Sequence, residues 1–370
     1  MFRDRVSPLK SIMAKSFKIS QIINKALFDK EFGYYRTRNP LGSNGDFITS
    51  PEISQIFGEV IAGYLLQFFA DNRNKFSLVE MGAGRGFLFR DILQTIFNLS
   101  KKGNGLAINF LDNASFHIIE INPVLQKIQR QNLDKFFGHF PIIWSENFND
   151  FLTKNYQINS KLFFISNELL DCFAIDQFVK TDIGWCERLV AVDDANLLSN
   201  PRYVLANFDS EVNQFIIDKI SPIVSSKARI GAVFEYSASL EKFYIELCKV
   251  IKSNGGIVLN CDYGYCGYDF ANTLQAVKNH QKISFLQAFK NADITAQVDF
   301  FALDKISQSF NLNSLIITQR QFLLDLGGLE RMKILCKKNP IQATKIAKDF
   351  ERLTSLVEMG ELFKFHIIWQ

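Results

Sequence analysis

Helix-like and strand-like patterns of apolar residues alternate along the first half of the chain. Residues 16–30 and 54–69 carry apolar side chains at helical spacing, and Pro51 and Glu52 lie at or just before the first turn of the second helix. Apolar runs follow at residues 76–81, 116–121, 141–144 and 162–166, and a further helix is predicted over 88–98. Runs without polar alternation predict strands that are covered on both faces. The alternation of strands and helices therefore predicts a parallel, doubly wound sheet.

The pattern changes after residue 171. Residues 177–206 are typical of β-hairpins, helices are predicted over 208–219 and 239–252, and the Gly255-Gly256 pair ends the second helix. Late strands are predicted at 257–261, 314–318 and 363–369, with a loop-rich stretch over 263–300. We therefore predict an α/β fold in four parts: an N-terminal helical cap and loop (1–70), a sheet core with a hairpin insertion around 177–206 (71–262), an α+β insertion (263–313) and C-terminal strands and helices that complete the core (314–370).

Composition narrows the function classes. The 370 residues are 47% hydrophobic and 22% charged, enough to bury a core, so disorder is excluded for most of the length. A net charge of +4 without a basic cluster argues against a nucleic-acid binder. No Cys-x-x-Cys pair occurs among six cysteines, which argues against a metal site and for reduced thiols. No apolar run reaches membrane-spanning length.

The composition of the N-terminal residues fits two cellular locations of the protein. Its first 18 residues hold five basic side chains against the single acid Asp4. We interpret this as a short basic tail on a bacterial, cytoplasmic protein, and the alternative is a weak presequence for the mitochondrial matrix.

A glycine loop, Glu80-Met81-Gly82-Ala83-Gly84-Arg85-Gly86, joins the first predicted strand to a helix. Glycines allow a tight turn and a close approach of the backbone to a ligand, and the N-terminus of the following helix favours an anion. A dinucleotide turn needs its third glycine one residue later, where Phe87 stands. The loop therefore favours S-adenosylmethionine, with the methionine carboxylate at the helix N-terminus. A purely structural turn is the alternative.

Polar residues follow the next two strands. Glu120 ends the second strand, where a carboxylate can accept hydrogen bonds from both ribose hydroxyls. The third strand ends in Trp144-Ser145-Glu146-Asn147. An aromatic ring there could stack on the adenine and a polar side chain could receive its amine. The alternatives are a solvated acid and ordinary loop residues.

The fourth strand ends in Asn167-Glu168-Leu169-Leu170-Asp171. The carboxyl ends of parallel strands face the ligand crevice, so these polar side chains are well placed to hold a nucleophile. Helix capping by Asn167, with the acids at the helix N-terminus, is the alternative.

The sequence resembles the MidA family, bacterial relatives of the mitochondrial complex I assembly-factor protein arginine methyltransferase. The resemblance covers roughly residues 20–370. It is carried by the stretches Gly33–Tyr35, Gly45–Ser54, Phe57–Glu59, Val79–Gly86, Ile119–Pro123, Asn167–Asp171, Trp185–Leu189, Glu235–Ser237, Asp262–Gly264, Thr273–Gln275, Asp293–Phe300 and Met359–Lys364. Two positions depart from the family: Ala83 stands where Pro is usual, and Gln297 stands where His is frequent. If that His takes up a proton, Gln297 can only form hydrogen bonds.

The resemblance implies a class I methyltransferase fold, Rossmann-like, with a substrate-side subdomain and S-adenosylmethionine as cofactor. It also implies a protein arginine N-methyltransferase that acts on a subunit of respiratory complex I (NADH dehydrogenase) and supports its assembly. Guanidinium is always charged, and a carboxylate matches its planar fork. We therefore predict that Glu168 and Asp171 hold it beside Asn167, with Glu235 as an outer candidate.

Further residues are candidates for closing the site. Asp46, Thr49 and Glu52 could close over the cofactor, or Asp46 and Thr49 could only make turn and cap bonds. Asp262 and Tyr263 could orient the substrate, or Asp262 could cap a loop. The stretch around Thr273 and residues 293–299 is predicted to shape the substrate groove, and the apolar residues of 281–330 either cover a second subunit of a homodimer or belong to the core.

Two other functions remain open at this stage. A nicotinamide-dependent oxidoreductase would also use the glycine loop and Glu120. A non-catalytic complex I assembly module would use the same pocket only to position a partner protein.

Overall fold

The computed structural model describes residues 15–37, 39–40, 42, 48–71, 73–156, 160–193, 200–268, 270–278, 281–288 and 292–370. In these ranges the helices are α1 Ile19–Phe28, α2 Tyr34–Thr37, α3 Ser50–Ile53, α4 Gln55–Asp71, α5 Phe87–Lys101, α6 Gly105–Asn113, α7 Pro123–Asn132, α8 Phe148–Asp150, α9 Ser210–Ile220, α10 Pro222–Lys227, α11 Ala238–Asn254, α12 Phe300–Ser309, α13 Gln319–Asp325, α14 Gly328–Lys338, α15 Ala343–Thr354 and α16 Met359–Leu362. Shorter helical turns are Asp134–Phe136, Phe151–Asn155, Leu170–Cys172, Phe285–Gln287 and Pro340–Gln342.

The strands are β1 Lys15–Lys18, β2 Phe76–Met81, β3 Ala114–Ile119, β4 Ile142–Ser145, β5 Lys161–Asn167, β6 Asp176–Lys180, β7 Trp185–Val192, β8 Arg202–Leu205, β9 Val233–Tyr236, β10 Gly256–Tyr265, β11 Gln275–Lys278, β12 Gln281–Ile283, β13 Asp293–Thr295, β14 Val298–Asp299, β15 Asn313–Thr318 and β16 Phe363–Trp369. In the described part of the chain, no helix is both long and apolar enough to span a membrane.

The main sheet has the strand order β15-β16-β10-β5-β2-β3-β4, and β14 pairs with the end of β10. Strands β10, β5, β2, β3 and β4 are parallel, whereas β16 is antiparallel to both β10 and β15. The predicted parallel, doubly wound sheet is confirmed, with the single antiparallel strand β16 inserted between β10 and the edge strand β15. The chain order reverses between β2 and β5, which is where such a sheet opens a ligand crevice.

Both faces of this sheet are buried, as the continuous apolar runs predict. Leu78 and Phe163 belong to one apolar cluster, and their chain neighbours Val79 and Phe164 belong to another. Successive side chains of a strand point to opposite faces, so each strand supplies both clusters. The first cluster includes residues of α4 and α5, and the second includes residues of α11 and α12.

The antiparallel sheet β1-β7-β6-β9, with β8 beside β7, forms the hairpin insertion. The prediction of hairpins over 177–206 is thus confirmed. The helix predicted over 16–30 is wrong at its start, because Lys15–Lys18 pairs antiparallel with Leu189–Val192 and the helix begins only at Ile19. Helical spacing cannot reveal a strand partner more than 170 residues away.

The stretch 263–300 is more ordered than the predicted loop-rich insertion. Strand β10 continues to Tyr265, and β12-β11-β13 form a small antiparallel sheet. Phe285, Ile294, Phe300 and Leu303 are buried within the chain. These apolar residues belong to the core, which favours the core interpretation over a dimer surface. The four-part division of the chain remains a prediction.

Candidate active site

The glycine loop turns at the carboxyl end of β2. Gly82, Gly84 and Gly86 all have positive φ angles, of 70°, 52° and 80°. A Cβ on Gly82 would lie 2.7 Å from Leu169 Cδ1, so both the conformation and the available space require glycine. The Gly82 N–H donates to the Ile119 carbonyl (2.9 Å) and the Gly86 N–H to the Ala83 carbonyl (2.7 Å), which fixes the turn against β3.

A cleft of about 310 Å³ lies over this loop. It brings together most of the residues predicted to bind the cofactor or the acceptor, namely Thr49, Glu52, Glu80, Gly82, Ala83, Gly84, Glu120, Asn147, Asn167 and Glu168. Gly86 does not line the cleft, because it packs against Gln129 and precedes the first turn of α5. Phe28 and Tyr35 close the cleft from the N-terminal helices.

Glu120 is held in a fixed position by two neighbours. Its Oε1 accepts the Asn122 N–H (2.9 Å) and its Oε2 accepts Gln129 Nε2 (3.0 Å). The side chain of Gln129 also donates to the Gly84 carbonyl (2.8 Å), so one buried amide ties Glu120 to the glycine loop. Sequence reasoning missed Gln129. The only sign of its role in the sequence is that this polar residue falls on the apolar side of α7.

Trp144 corrects a prediction. It does not line the cleft, because its indole Nε1 donates to Gln129 Oε1 (2.9 Å) and its ring stacks under the Arg130 guanidinium at 3.9 Å. Alternation along β4 turns Trp144 toward α7 and away from the ligand side. Ser145 is buried outside the cleft. Glu146 lines the cleft and pairs with Arg36 (3.1 Å).

Asn147 lines the cleft at the end predicted to meet the adenine. Its Oδ1 accepts the Asp150 N–H (2.9 Å), so it also caps α8. The side chain also carries an NH₂ group, which is a hydrogen-bond donor.

Asn167 and Glu168 lie side by side at the carboxyl end of β5. Glu168 has a φ of 52°, unusual for a residue with a side chain, and it is held there by its N–H bond to the Cys261 carbonyl (2.8 Å). Its Oε1 accepts the Ser50 N–H (3.0 Å) and Asn167 Nδ2 (3.0 Å). A strained residue fixed by three bonds at a cleft is typical of a functional position.

Glu52 closes the opposite side of the cleft. Its carboxylate contacts Arg85 Nη1 at 3.3 Å, and its side chain is only 6% exposed. Arg85, a further residue that sequence reasoning missed, stands in the glycine loop itself. Thr49 precedes α3 without a side-chain cap bond and lines the cleft. Asp46 lies outside the described residues.

Asp171 and Glu235 do not line this cleft, contrary to the predictions that Asp171 holds the guanidinium together with Glu168 and that Glu235 is an outer candidate. Both line a second cavity, which shares only Phe173 with the first. Asp171 accepts the Tyr263 hydroxyl (2.5 Å). The Glu235 carboxylate accepts Gln177 Nε2 (2.7 Å), the Thr273 hydroxyl (2.5 Å) and two backbone N–H groups. Asp171 leaves the cleft because the turn Leu170–Cys172 carries the chain away from β5, whereas Glu235 lies on β9 of the other sheet, opposite Gln177.

Asp262 caps the loop that follows Glu168. Its Oδ2 accepts the backbone N–H groups of Leu169 (3.1 Å), Leu170 (2.8 Å) and Asp171 (3.2 Å), and its Oδ1 accepts that of Tyr263 (2.9 Å). Of the two alternatives left open by the sequence, these bonds favour loop capping for Asp262.

The titratable side chains that line the cleft are mainly acidic. Among the described residues, five carboxylates line it (Glu52, Glu80, Glu120, Glu146 and Glu168) against one cation, Arg85. Burial raises the pKa of Glu80 to about 8 and the pKa of both Glu120 and Glu168 to about 7. Such a cleft favours a positively charged ligand, because a nearby cation restores the ionised form of each carboxyl group.

A pH dependence of stability follows. Because these folded-state pKa values lie above the unfolded value of about 4.3, the carboxyls stabilise the fold in their protonated form, and this contribution is lost as pH rises through 7 and 8. We expect the free energy of unfolding of the ligand-free protein to fall between about pH 6 and pH 9.

Urea unfolding at these pH values measures this trend, and Glu168→Gln should reduce the slope because it removes one titrating group. A stability that rises over the same range would contradict the shifts.

The fold and the cleft together define the class. A parallel sheet with one antiparallel strand inserted next to its edge strand, a glycine turn after its first strand and a buried carboxylate after its second have the form of a class I S-adenosylmethionine-dependent methyltransferase.

Comparison with known proteins agrees with this class. A family model described as "Putative S-adenosyl-L-methionine-dependent methyltransferase" matches residues 60–318, and the chain belongs to this family. It is 30% identical to "Protein arginine methyltransferase NDUFAF7, mitochondrial" of Danio rerio, over 96% of this chain and 84% of the relative. For the Homo sapiens protein of the same name the identity is 30%, over 94% and 78%.

A solved structure supports the fold. A protein from Burkholderia thailandensis bound to S-adenosyl-homocysteine superposes with a TM-score of 0.79 at 23% identity, over 96% of this chain and 88% of its own. The predicted class I fold, the methyltransferase activity and the cofactor S-adenosylmethionine are thereby confirmed. The relatives are named as mitochondrial, so nothing here supports the predicted cytoplasmic location.

Proposed function

We propose that the chain is a protein arginine N-methyltransferase that modifies a subunit of respiratory complex I and thereby supports its assembly. The observation that carries the proposal is the hydrogen-bonded Asn167–Glu168 pair in a cleft where acidic side chains outnumber basic ones. The relatives align over nearly the whole chain and are named protein arginine methyltransferases, which supports arginine as the acceptor. They also support a mitochondrial location, and within it we propose the matrix. Membership of the methyltransferase family argues against the oxidoreductase alternative.

The cleft residues fit the cofactor. Within the described part of the chain, three buried side-chain oxygens facing this region lack a hydrogen-bond partner: Glu52 Oε2, Glu80 Oε2 and Asn167 Oδ1. Buried polar atoms in proteins are rarely left unpaired, so these oxygens point to a ligand that donates hydrogen bonds.

Each part of the cofactor has a proposed site. The turn Gly82–Gly86 would hold the methionine carboxylate at the start of α5, with Glu80 beside it. Glu120 would accept the ribose hydroxyls, since an ionised carboxylate has acceptor capacity beyond its two present bonds. Asn147 would donate to the adenine edge, and Glu52 and Thr49 would close over the ligand.

The acceptor side rests on Glu168. The bound cofactor supplies an electrophilic methyl group, and the protein must align the acceptor nitrogen with it and exclude water. Glu168 would pair with the guanidinium as a charge-assisted acceptor, while the Asn167 carbonyl oxygen takes a second N–H. With a pKa raised to about 7, Glu168 can also take the proton that the guanidinium loses on methylation. Asp171 and Glu235 line the other cavity, so we do not assign this task to them.

Incubation of the purified protein with methyl-labelled S-adenosylmethionine and an extract of cells that lack its gene tests the proposal. We expect a labelled protein band whose hydrolysate contains methylarginine, identified as a complex I subunit by mass spectrometry. Label on another amino acid would refute the arginine assignment. Absence of label, with intact binding of S-adenosylhomocysteine, would instead favour the non-catalytic assembly module.

Glu120 provides a test of the cofactor part alone. We expect Glu120→Ala to weaken S-adenosylhomocysteine binding by roughly 30- to 150-fold, since the loss of two hydrogen bonds to a charged group costs on the order of 2–3 kcal/mol. Isothermal titration calorimetry measures the change. The exposed Glu330→Gln on α14 is the control and should bind normally. Unchanged affinity in Glu120→Ala would remove the ribose assignment.

A further inference from the structure

The second cavity, of about 340 Å³, adjoins the cofactor cleft at Phe173. One wall carries Asp171, which follows the loop of Glu168. Another carries residues 296–299, part of a stretch that the sequence analysis singled out and that the proposed function leaves unused. A cavity this close to the acceptor carboxylate is positioned to contact the acceptor protein.

The aromatic rings of this cavity already hold cations. Lys219 Nζ lies 5.0 Å from the centroid of the Tyr236 ring. Lys305 Nζ lies 4.4 Å from the Phe301 ring and 4.9 Å from the Tyr268 ring. Ring faces at these distances attract ammonium and guanidinium groups. Lys305 is exposed and its Nζ also donates to the Tyr268 hydroxyl, so a cation of a partner would take its place on these two ring faces by displacing this side chain toward solvent.

The charged side chains of the cavity favour a bound cation, as its aromatic rings do. Among the described residues, five carboxylates line the cavity (Asp171, Asp218, Glu235, Glu241 and Asp299) against two lysines. Lys219 is already paired with Glu241 at 2.6 Å. Asp299 is half-buried and caps α12 through the Ala302 N–H (3.0 Å), and its partial desolvation raises its pKa to about 6. The cavity therefore keeps an excess of negative charge after its internal pairing.

We propose that this cavity binds a second basic side chain of the acceptor protein, a few residues away from the arginine that is methylated. The inference rests on the proposed function for the position of the first arginine. Because Phe173 borders both cavities, an extended segment, at about 3.3 Å per residue, reaches from one to the other within a few residues. The enzyme thus selects segments with paired basic residues.

Two end-blocked peptides serve as probes, Arg-Gly-Gly-Arg and Arg-Gly-Gly-citrulline, in which an uncharged isostere replaces the second arginine. Their affinities for the protein saturated with S-adenosylhomocysteine are measured by calorimetry. We expect the charged peptide to bind at least about fivefold more tightly, as a partly desolvated cation–π and carboxylate contact predicts. Asp299→Asn keeps the helix cap but removes the charge, and it should abolish most of this preference.

A second variant guards against a merely structural effect. Ala302→Trp fills the mouth of the cavity from the exposed side of α12 and should abolish the same preference without changing S-adenosylhomocysteine affinity. The exposed Glu330→Gln should keep it. Equal affinities of the two peptides, or a preference that survives both Asp299→Asn and Ala302→Trp, would overturn the inference. Because binding is read without turnover, a failure of methyl transfer alone would refute the proposed function and leave this inference standing.

Discussion

Replacing Glu168 by glutamine is expected to lower the rate of methyl transfer by at least about 100-fold, the effect of removing roughly 3 kcal/mol of electrostatic stabilisation in a closed site. The carbonyl oxygen of glutamine can still accept from Ser50 and Asn167, so the loop should keep its shape. What is lost is the negative charge that would pair with the guanidinium and the group that would take its proton. The site would then lack both alignment and a base.

The measurement needs two readouts. Initial rates with labelled S-adenosylmethionine and the acceptor extract report transfer, and calorimetry with S-adenosylhomocysteine reports cofactor binding, which should stay within about threefold because Glu168 is assigned to the acceptor. The exposed Glu330→Gln should match the unchanged protein in both. Transfer at the unchanged rate in Glu168→Gln would remove the catalytic assignment. A loss of both transfer and binding would reassign Glu168 to the cofactor.

What the sequence could predict was local. Short apolar runs, and the glycine, asparagine and proline residues that bound them, predicted three elements that the structure contains. These are the strands Phe76–Met81 and Phe363–Trp369 and the start of α7. Asn122 caps α7 through two backbone N–H groups, as its position before Pro123 predicts. The rule that the carboxyl ends of parallel strands face the ligand crevice placed Asn167 and Glu168 there.

What the sequence could not predict was set by distant partners. Gln129 is inconspicuous on α7, yet it joins Glu120, Gly84 and Trp144 in one buried network. Trp144 was predicted to face the adenine because strand-end aromatic residues often do, but the direction of a side chain depends on the register of its strand. Asp171 lies only three residues after Glu168, and a single helical turn moves it into the other cavity.

Asp262 shows how far the acceptor carboxylate depends on the residues behind it. Its carboxylate is fully buried and accepts four backbone N–H groups, three of them from the loop directly after Glu168. We expect Asp262→Ala to lower the free energy of unfolding by roughly 3–5 kcal/mol, because several buried donors would lose their acceptor at once. Denaturant unfolding measures this loss.

Asp262→Asn is the matched variant. Its amide oxygen can replace Oδ2 toward the loop, while its NH₂ group opposes only the Tyr263 N–H, so the loss of stability should be clearly smaller than in Asp262→Ala. Leu169 packs against Gly82 across the cleft, so a loosened loop also disturbs the glycine turn. Asp262→Ala should therefore weaken S-adenosylhomocysteine binding as well as transfer, whereas Glu168→Gln affects transfer alone. If Asp262→Ala were as stable as the unchanged protein, the loop would be held by its own backbone and this coupling would not exist.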